Sequence, residues 1–294
     1  MKFLIKLFSV SFLVCAVLYV FSGVASYAQR EENRSLTYLA VGFDSSPANT
    51  DVLSLVSYDS QANTVRAIQI PRDTAIKYGN DYLKINAYYS RKISEGATQR
   101  LALRELCYEI SALLGVEIDG YAAITTDGFV DLVDFLGGIY ISEKDVPSQQ
   151  QGAFETKEGK VFLSGNDALQ FVRYRENYTR GDLERLDAQK IFIRSLSNRI
   201  GERRELFSLL KFSADCDGII FDIDKGRSLS FLLANAYRLD DADLQIATLP
   251  GEAIKYGNTW YYAVDKEKSI ALISGYFPHY RNSFDKNGIF VYQF

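Results

Sequence analysis

Four arginines alternate with carboxylates in the stretch FVRYRENYTRGDLERLDAQK, residues 171–190. Planar guanidinium groups match the oxygens of phosphate and carboxylate groups, so the stretch predicts either an anion-binding pocket or a structural ion-pair network. Arg173 and Arg175 stand two apart, a spacing that directs both side chains to one side only where the chain is extended. An extended exit from the preceding helix would therefore form a two-armed clamp.

The helix predicted after these arginines directs further polar groups inward. Apolar residues between 183 and 200 share one face, and Asp182, Arg185 and Gln189 fall on that apolar side. Inward-pointing charge is costly unless it is paired or used. Asp182 and Arg185 can pair within one helical turn, which is the structural interpretation. The functional interpretation is a pocket for a doubly anionic group, with backbone N–H groups at the helix start as further donors.

Two carboxylates in the N-terminal half have a spacing that suits a metal ion. Asp44 ends the strand-like run TYLAVGFD, and Asp51 follows seven residues later in NTDVLSL. A loop between them can fold both carboxylates toward one hard cation such as Mg²⁺ or Mn²⁺, which prefer oxygen ligands. Asp is also common in turns and helix caps, so the structural interpretation stays open.

More polar residues follow the next strand-like run, RAIQIP. Arg72 and Asp73 come directly after Pro71. This is the carboxyl end of a strand, where open α/β sheets bind ligands. Lys84 and Asn86, in the run LKINAYY, add a cation and an amide that can orient a ligand.

Periodicity predicts a chain of strands and helices. Strands are predicted at Thr37–Phe43, Val52–Ser57, Val65–Ile70, Tyr121–Thr125 and Gly138–Ile141, with a late pair at Leu244–Leu249 and Trp260–Val264. Helices are predicted at Ala97–Leu114, Asp127–Leu136, Asn166–Val172, Leu183–Ile200 and Arg227–Ala236. This order predicts one α/β or α+β sheet with helices on both faces. The hexapeptide AIKYGN, at 75–80 and again at 253–258, is interpreted as two similar surface loops.

The N-terminus predicts a membrane-anchored protein. An uncharged apolar run at residues 7–28 is long enough to cross a bilayer as a helix, and Lys2 and Lys6 place residues 1–6 in the cytoplasm. A cleavable signal peptide is the alternative, because Ser26-Tyr27-Ala28 can serve as a cleavage site. In either case we expect a short stalk at residues 29–34 and a single extracytoplasmic domain at residues 35–294.

Composition excludes several classes of function. The 294 residues carry a net charge of −4 and have a pI near 5.3, which argues against a general nucleic-acid binder. His279 is the only histidine, and the three cysteines at 15, 107 and 216 form no CxxC, so zinc sites and histidine-dependent nucleophiles are poor hypotheses. The sequence leaves open whether Cys107 and Cys216 form a disulfide.

Taken in order, these segments resemble the LytR-CpsA-Psr family of bacterial cell-envelope proteins. The resemblance is carried by GFD, NTD, IPRDT, KINAYY, ITTDGFVDLVDFLGGI, LSGNDALQFVRYR, GDLERLDAQ, LPGE and GNTWYYAVD, which cover nearly the whole extracytoplasmic chain. It implies an αβα sandwich with a central mixed sheet. It also implies a hydrophobic pocket for a polyprenyl chain, with the pyrophosphate at its mouth.

The resemblance further implies a reaction, in which a glycopolymer moves from its polyprenyl-pyrophosphate carrier to a hydroxyl of peptidoglycan at the cell membrane. Mg²⁺ or Mn²⁺ held by Asp44 and Asp51 would act as a Lewis acid on the diphosphate. The implied catalytic residues are Arg72, Asp73 and Asp182, with either aspartate as the general base. The implied diphosphate-binding residues are Arg72, Lys84, Arg173, Arg175, Arg185 and Gln189.

Two rival functions stay open on the sequence. A non-catalytic lipid-pyrophosphate-binding or regulatory envelope protein would keep the same cationic pocket without turnover. A polyprenyl-pyrophosphate hydrolase would differ only in giving the phosphoryl group to water. The sequence does not specify the glycopolymer, whether teichoic acid, capsule or another glycan.

Overall fold

A computed structural model describes residues 35–43, 49–174, 182–203, 211–212, 215–222 and 242–277, without the side chains at 182–183 and 200–203. The predicted anchor at 7–28, the stalk at 29–34 and the helix predicted at Arg227–Ala236 lie outside this part of the chain. Within it, no helix is both long and apolar enough to cross a membrane.

A mixed six-stranded sheet forms the centre of the fold. Its strands are β1 (Ser35–Phe43), β2 (Thr50–Asp59), β3 (Thr64–Ile70), β6 (Gly120–Ile124), β10 (Ile219–Asp222) and β11 (Asp243–Thr248). Their order across the sheet is β10-β6-β1-β2-β3-β11. β1 and β2, β2 and β3, and β6 and β10 pair antiparallel, whereas β1 and β6, and β3 and β11, pair parallel. The prediction of a mixed α/β fold is therefore confirmed.

Three smaller sheets lie outside the central one. They are the hairpin β4 (Ala75–Tyr78) with β5 (Asp81–Lys84), the hairpin β12 (Gly251–Tyr256) with β13 (Thr259–Val264), and a three-stranded sheet of β7 (Ile139–Ser142), β8 (Thr156–Lys157) and β9 (Lys160–Leu163). The two strands that were predicted as a late pair therefore belong to different sheets. β11 joins the central sheet, and β13 pairs with β12, which was not predicted from the sequence.

The prediction of surface loops at the two AIKYGN segments is wrong. Each segment supplies the first strand and the turn of a β-hairpin, the first at β4–β5 and the second at β12–β13. Gly79 and Gly257 have φ angles of +64° and +58°, which suit the first central residue of a tight two-residue hairpin turn. A Gly-Asn turn between β-compatible residues is thus enough to reverse the chain.

Several α-helices of the described chain pack around these sheets. They are α1 (Ile85–Ser94), α2 (Gln99–Leu114), α3 (Thr126–Phe135), α4 (Gly165–Arg173), α5 (Asp182–Arg203) and α6 (Lys266–Tyr276). Local capping fixes several of their ends: Ser164 and Asp167 form a capping box at the start of α4, and the left-handed Gly115 ends α2. The sequence analysis did not predict α1.

Helices cover both faces of the central sheet. Ile68 and Ile70 of β3 belong to the main core cluster together with residues of α1 and α2. Side chains alternate along a strand, so Gln69 faces the opposite side. There its Nε2 donates to the carbonyl oxygen of Leu186 on α5, over 3.3 Å. A second core cluster joins α3, α4 and α5 to β7 and β9.

The cysteine pair that the sequence left open is not bonded. Cys107 and Cys216 are both free thiols. Burial raises the pKa of the Cys107 thiol to about 12, so this side chain acts as an apolar core residue rather than a reactive thiolate.

Two buried tyrosines predict a loss of stability at alkaline pH. Burial raises the pKa of Tyr262 and of Tyr88 from near 10 to about 12. Because the folded state holds these protons more tightly than the unfolded state, their contribution is complete below pH 10 and is lost as the pH rises toward 12. Urea titrations from pH 8 upward should therefore show a falling free energy of unfolding. Tyr262→Phe should reduce this fall, and an unchanged slope in that variant would contradict the assignment.

Candidate functional site

A buried ion-pair cluster lies where β2 begins and β3 ends. Arg72 Nη1 lies 2.6 Å from Asp51 Oδ1, and Arg185 Nη1 lies 3.8 Å from Asp51 Oδ2. The β2–β3 register pairs Leu53 with Ile70, and continuing it places Asp51 across from Arg72. Arg185 reaches the same carboxylate from α5, with a side chain only 1% exposed. We name Asp51, Arg72 and Arg185 the arginine cluster.

Charge makes the arginine cluster a candidate anion site. Two guanidinium groups share one carboxylate, so the three side chains together are cationic. Attraction for an anion is stronger in such a partly water-excluded place than in bulk solvent. The guanidinium forks also match phosphate oxygens in geometry. The predicted inward direction of Arg185 is therefore confirmed, and its described partner is Asp51.

A second, more accessible ion pair lies beside the arginine cluster. Lys84 Nζ at the end of β5 is 2.9 Å from Asp73 Oδ1, with side chains 29% and 36% exposed. Backbone hydrogen bonds fix this corner, because the N–H of Asn86 donates to the carbonyl of Arg72 and the N–H of Tyr262 donates to the carbonyl of Asp73. The site thus has a buried cationic part and an exposed carboxylate next to it.

Helices α4 and α5 are tied together at the predicted clamp. Gln189 Nε2 donates to the carbonyl oxygen of Val172 over 3.3 Å, next to Arg173 at the end of α4. Tyr174 follows the last residue of α4 and has φ −57° and ψ 134°, which are not helical angles. The two-armed clamp was predicted for such a non-helical, extended exit. Gln189 is 4% exposed, and its Oε1 has no hydrogen-bond partner within the described structure. Its amide therefore faces the interior, as predicted.

Three predicted site residues fall where the structure gives no side-chain description. Asp44 and Arg175 lie outside the described residues, and Asp182 is described only as the first residue of α5. The structure therefore brings together Asp51, Arg72 and Arg185 in one cluster and Asp73 with Lys84 in a neighbouring pair. The metal pair, the two-armed clamp and the contribution of Asp182 stay predictions.

Similarity to known proteins decides the family. A model of the LytR_cpsA_psr family matches residues 21–273. The chain belongs to the LytR_cpsA_psr family. This family match confirms the resemblance of the sequence motifs.

Two relatives of this LytR_cpsA_psr chain are named for the cell wall. The cell wall biosynthesis protein LcpA of Corynebacterium glutamicum is 29% identical over 228 residues, which cover 70% of this chain and 44% of the relative. The polyisoprenyl-teichoic acid–peptidoglycan teichoic acid transferase TagU of Halalkalibacterium halodurans is 28% identical over 238 residues, covering 79% of this chain and 73% of the relative. This chain therefore spans less than half the length of LcpA.

A solved structure shares the fold. The Lin1025 protein of Listeria innocua has a TM-score of 0.63 and 27% identity, covering 83% of this chain and 97% of that one. The mixed α/β arrangement described above is thus also found in an experimental structure.

The family resemblance implies a magnesium ion, and the arginine cluster offers one ligand for it. Asp51 Oδ2 is the oxygen with the longer arginine contact, at 3.8 Å. Mg²⁺ usually keeps several waters and takes one or two carboxylates together with substrate phosphates. Asp51, whose side chain is 15% exposed, would therefore fit such an ion as one of its ligands. Among the described residues, no group of three or more His, Cys, Asp or Glu side chains is close enough to hold a metal.

Sequence analysis missed a buried amide that supports the arginine cluster. Gln69 is 1% exposed, and besides donating to Leu186 it accepts a hydrogen bond from Thr248 Oγ1 over 3.3 Å. It thereby joins β3, β11 and the turn of α5 that carries Arg185. A polar residue inside the apolar run RAIQIP was the available signal.

Two cavities of the described chain are lined by residues outside this site. One of about 420 Å³ lies at the three-stranded sheet and is lined by residues such as Glu143, Gln150 and Phe154. The other, of about 600 Å³, opens at the start of α3 beside Asp127 and Asp217. Neither is lined by a predicted site residue, so the polyprenyl pocket that the resemblance implies stays a prediction.

Proposed function

We propose that this chain is a phosphotransferase that moves a glycopolymer from a polyprenyl-pyrophosphate carrier to a hydroxyl group of peptidoglycan. The observation that carries the proposal is the arginine cluster beside the exposed Asp73–Lys84 pair. A partly buried pair of arginines next to a more accessible carboxylate suits the transfer of a charged phosphoryl group to a hydroxyl. The name of the relative TagU, a teichoic acid transferase acting on peptidoglycan, supports this choice of reaction.

The arginines neutralise charge in this reaction. An acceptor oxygen attacks the sugar-side phosphorus, the bond from that phosphorus to the bridging oxygen breaks, and polyprenyl phosphate leaves. Negative charge grows on the bridging and terminal oxygens, where Arg72 and Arg185 donate hydrogen bonds. Arg173 and Arg175 complete the set from the end of α4, and Gln189 holds that end in place through Val172.

Asp73 is the general base that the geometry favours. Its carboxylate is held by Lys84 and is 36% exposed, so an incoming hydroxyl can reach it from solvent. It takes the proton of that hydroxyl as the new oxygen–phosphorus bond forms. Asp182, the other candidate, orients arginines at the start of α5 in this scheme.

Asp44 and Asp51 would hold Mg²⁺ or Mn²⁺, which as a Lewis acid polarises the diphosphate when bound. Asp51 then has two tasks, since it also fixes the positions of Arg72 and Arg185. The apolar run at residues 7–28 would anchor the protein in the cell membrane, with the catalytic domain on the extracytoplasmic side. This location places the site next to a lipid-linked donor.

A transfer assay tests the proposal. The full chain in detergent is mixed with a synthetic polyprenyl-pyrophosphate sugar and a peptidoglycan oligomer, and release of polyprenyl phosphate is followed with Mg²⁺ and with EDTA. We expect release that needs both the metal and the acceptor. Release without acceptor would indicate the hydrolase instead. Tight binding of the lipid without release under any condition would indicate the non-catalytic binder.

A further inference from the structure

Helix α4 ends at Arg173, a predicted diphosphate-binding residue, and its last carbonyl groups depend on donors outside the helix. Tyr174 donates its N–H to the carbonyl of Gln170 over 3.0 Å but has non-helical angles, so the helix does not continue through it. The carbonyl groups in the final turn of a helix have no partner in its own ladder, and Phe171 and Val172 lie in that turn. A buried carbonyl group there needs another donor.

Two glutamine side chains supply these donors. Gln150 Nε2 donates to the carbonyl oxygen of Phe171 over 3.3 Å, and Gln150 is only 1% exposed. Gln189, which is 4% exposed, reaches the carbonyl oxygen of Val172 from α5, also over 3.3 Å. Gln150 approaches from elsewhere, because it ends a short 3-10 turn at Ser148–Gln150, between β7 and β8. Two consecutive carbonyl groups of α4 are therefore held from two sides, and we name Gln150 and Gln189 the amide cap.

Gln150 is presented by a turn whose backbone is itself fixed. Its N–H donates to the carbonyl of Pro147 over 2.8 Å, and its own carbonyl accepts from the N–H of Ala153 over 3.2 Å. The turn also leads into a contact with α4, because the ring centroids of Phe154 and Phe171 lie 6.1 Å apart. The amide therefore approaches Phe171 from a defined direction, and displacing it would require moving the turn.

The amide cap sets where α4 stops, and this point decides the direction of Arg173. Side chains turn by about 100° per residue along a helix and by about 180° along an extended strand. Fraying of the last turn would therefore displace the guanidinium group of Arg173. Gln189 and Arg185 are four residues apart on α5 and so share a face of that helix. The cap thus links the end of α4 to the helix that carries Arg185.

We propose that Gln150 is a positioning residue for the binding of the diphosphate, an inference that rests on the function proposed above. It contacts no substrate in this scheme. Instead it holds the carbonyl of Phe171, so that the last turn of α4 keeps Arg173 directed at the diphosphate. Guanidinium groups hold phosphate oxygens through directional hydrogen bonds, so a small displacement of one arginine weakens the contact.

A role confined to stability would give a different pattern. A buried carbonyl group is more stable with a donor, so losing the amide of Gln150 should lower the melting temperature in either case. Only the positioning role also predicts weaker binding of an anion at a site that Gln150 does not touch. Anion affinity, compared between proteins that have each lost stability, therefore separates the two roles.

Gln150→Met tests the inference, because it keeps the length of the side chain and removes the amide. The full chain in detergent is titrated with inorganic pyrophosphate in a calorimeter, at a temperature where each variant is folded. We expect binding about tenfold weaker than in the wild-type protein, which is the effect of about one lost hydrogen bond.

Val161→Ala is the matched control for this titration. Val161 is 3% exposed on β9 and lines the same cavity as Gln150. The variant loses stability through lost apolar burial and should keep the wild-type affinity for pyrophosphate. The same affinity in Gln150→Met as in Val161→Ala would overturn the inference. Absence of pyrophosphate binding by the wild-type protein would also overturn it, since there would then be no anion site to position.

Gln150→Glu gives a pH-dependent test of the same hydrogen bond. A protonated carboxyl group can donate to the carbonyl of Phe171, whereas an ionised one cannot. Burial raises the pKa of a carboxyl group, so the introduced group takes up its proton as the pH falls toward the acidic range. The ratio of its pyrophosphate affinity to that of the wild-type protein at the same pH should therefore rise as the pH is lowered. A constant ratio, while the melting temperature recovers, would limit Gln150 to a role in stability.

Transfer kinetics keep this inference separate from the proposed function. In Gln150→Met, kcat for transfer should fall about tenfold while KM for the peptidoglycan oligomer stays the same, because Arg173 acts on the diphosphate and not on the acceptor. A wild-type protein that binds pyrophosphate but transfers nothing would refute the proposed function, and the affinities of the variants would still decide the role of Gln150. Active transfer with unchanged pyrophosphate affinity in Gln150→Met would refute that role and leave the proposed function standing.

Discussion

Replacing Arg185 with methionine should lower the rate of transfer by about 10³-fold, a loss typical of removing one preorganised donor from a site where negative charge develops. Arg185 is the most buried member of the arginine cluster, and no solvent molecule can easily take its place. Its loss leaves Asp51 paired with Arg72, so no buried carboxylate becomes isolated. The variant should therefore fold, with a change in stability of less than about 3 kcal/mol.

The same helix provides the control for this experiment. Arg194 also lies on α5 but is exposed, so Arg194→Met should keep full activity. Arg185→Lys keeps the charge and loses the planar fork, and we expect activity between those of wild type and the methionine variant. Circular dichroism and thermal melting confirm folding before the rates are compared. A folded Arg185→Met protein with normal transfer would refute a role for the arginine cluster in the reaction.

Asp51→Asn should lower the stability of the protein and strengthen its binding of anions. It removes the negative charge that both guanidinium groups contact, so their mutual repulsion increases in a partly buried place. Breaking such a pair costs about 3–5 kcal/mol when the remaining charge is fully buried, and less here because Arg72 is partly exposed. Inorganic pyrophosphate can replace the missing negative charge. It should therefore raise the melting temperature of the variant more than that of the wild-type protein.

Transfer by the Asp51→Asn protein should fall at least ~100-fold, and its response to Mg²⁺ should weaken, because the residue is also a proposed metal ligand. Asp59→Asn is the matched control. Asp59 lies at the other end of β2 and pairs with Arg66 of β3 at 3.4 Å, so it removes a similar ion pair from the same two strands. A pyrophosphate response in Asp59→Asn as large as in Asp51→Asn would contradict the anion-site assignment.

Helical periodicity predicted the buried part of the site best. The pattern of α5 placed Arg185 and Gln189 on the inner face, and both are buried in the structure. This succeeded because a long helix has many residues that together define its inner face. Five of the six strands in the central sheet were also predicted, since buried strands form short apolar runs with β-branched residues, whereas the four-residue strand β10 was missed.

Pairing between distant residues could not be predicted in the same way. The sequence gives no distance between Asp51 and Arg72, and the direct Arg72–Asp51 contact depends on how β2 and β3 align. The hydrogen bonds of Gln69 could not be predicted either, because its partners lie on α5 and β11. Short elements failed for another reason: four-residue strands such as β4 and β5 contain too few residues for a periodic pattern to emerge.

The alignment of β2 with β3 limits where insertions can be tolerated around this site during evolution. Asp51 and Arg72 lie just beyond the last pair of the ladder, Leu53 with Ile70, whereas the turn that joins the two strands lies at the far end, at residues 60–63. Residues added to that turn would leave the ladder intact. A single residue inserted within either strand would shift the pairing and turn the side chains beyond it to the opposite face of the sheet. Length variation among functional homologues should accordingly be found in the turn and be absent from the strands, so a comparison of insertions alone can identify the segment that positions Arg72.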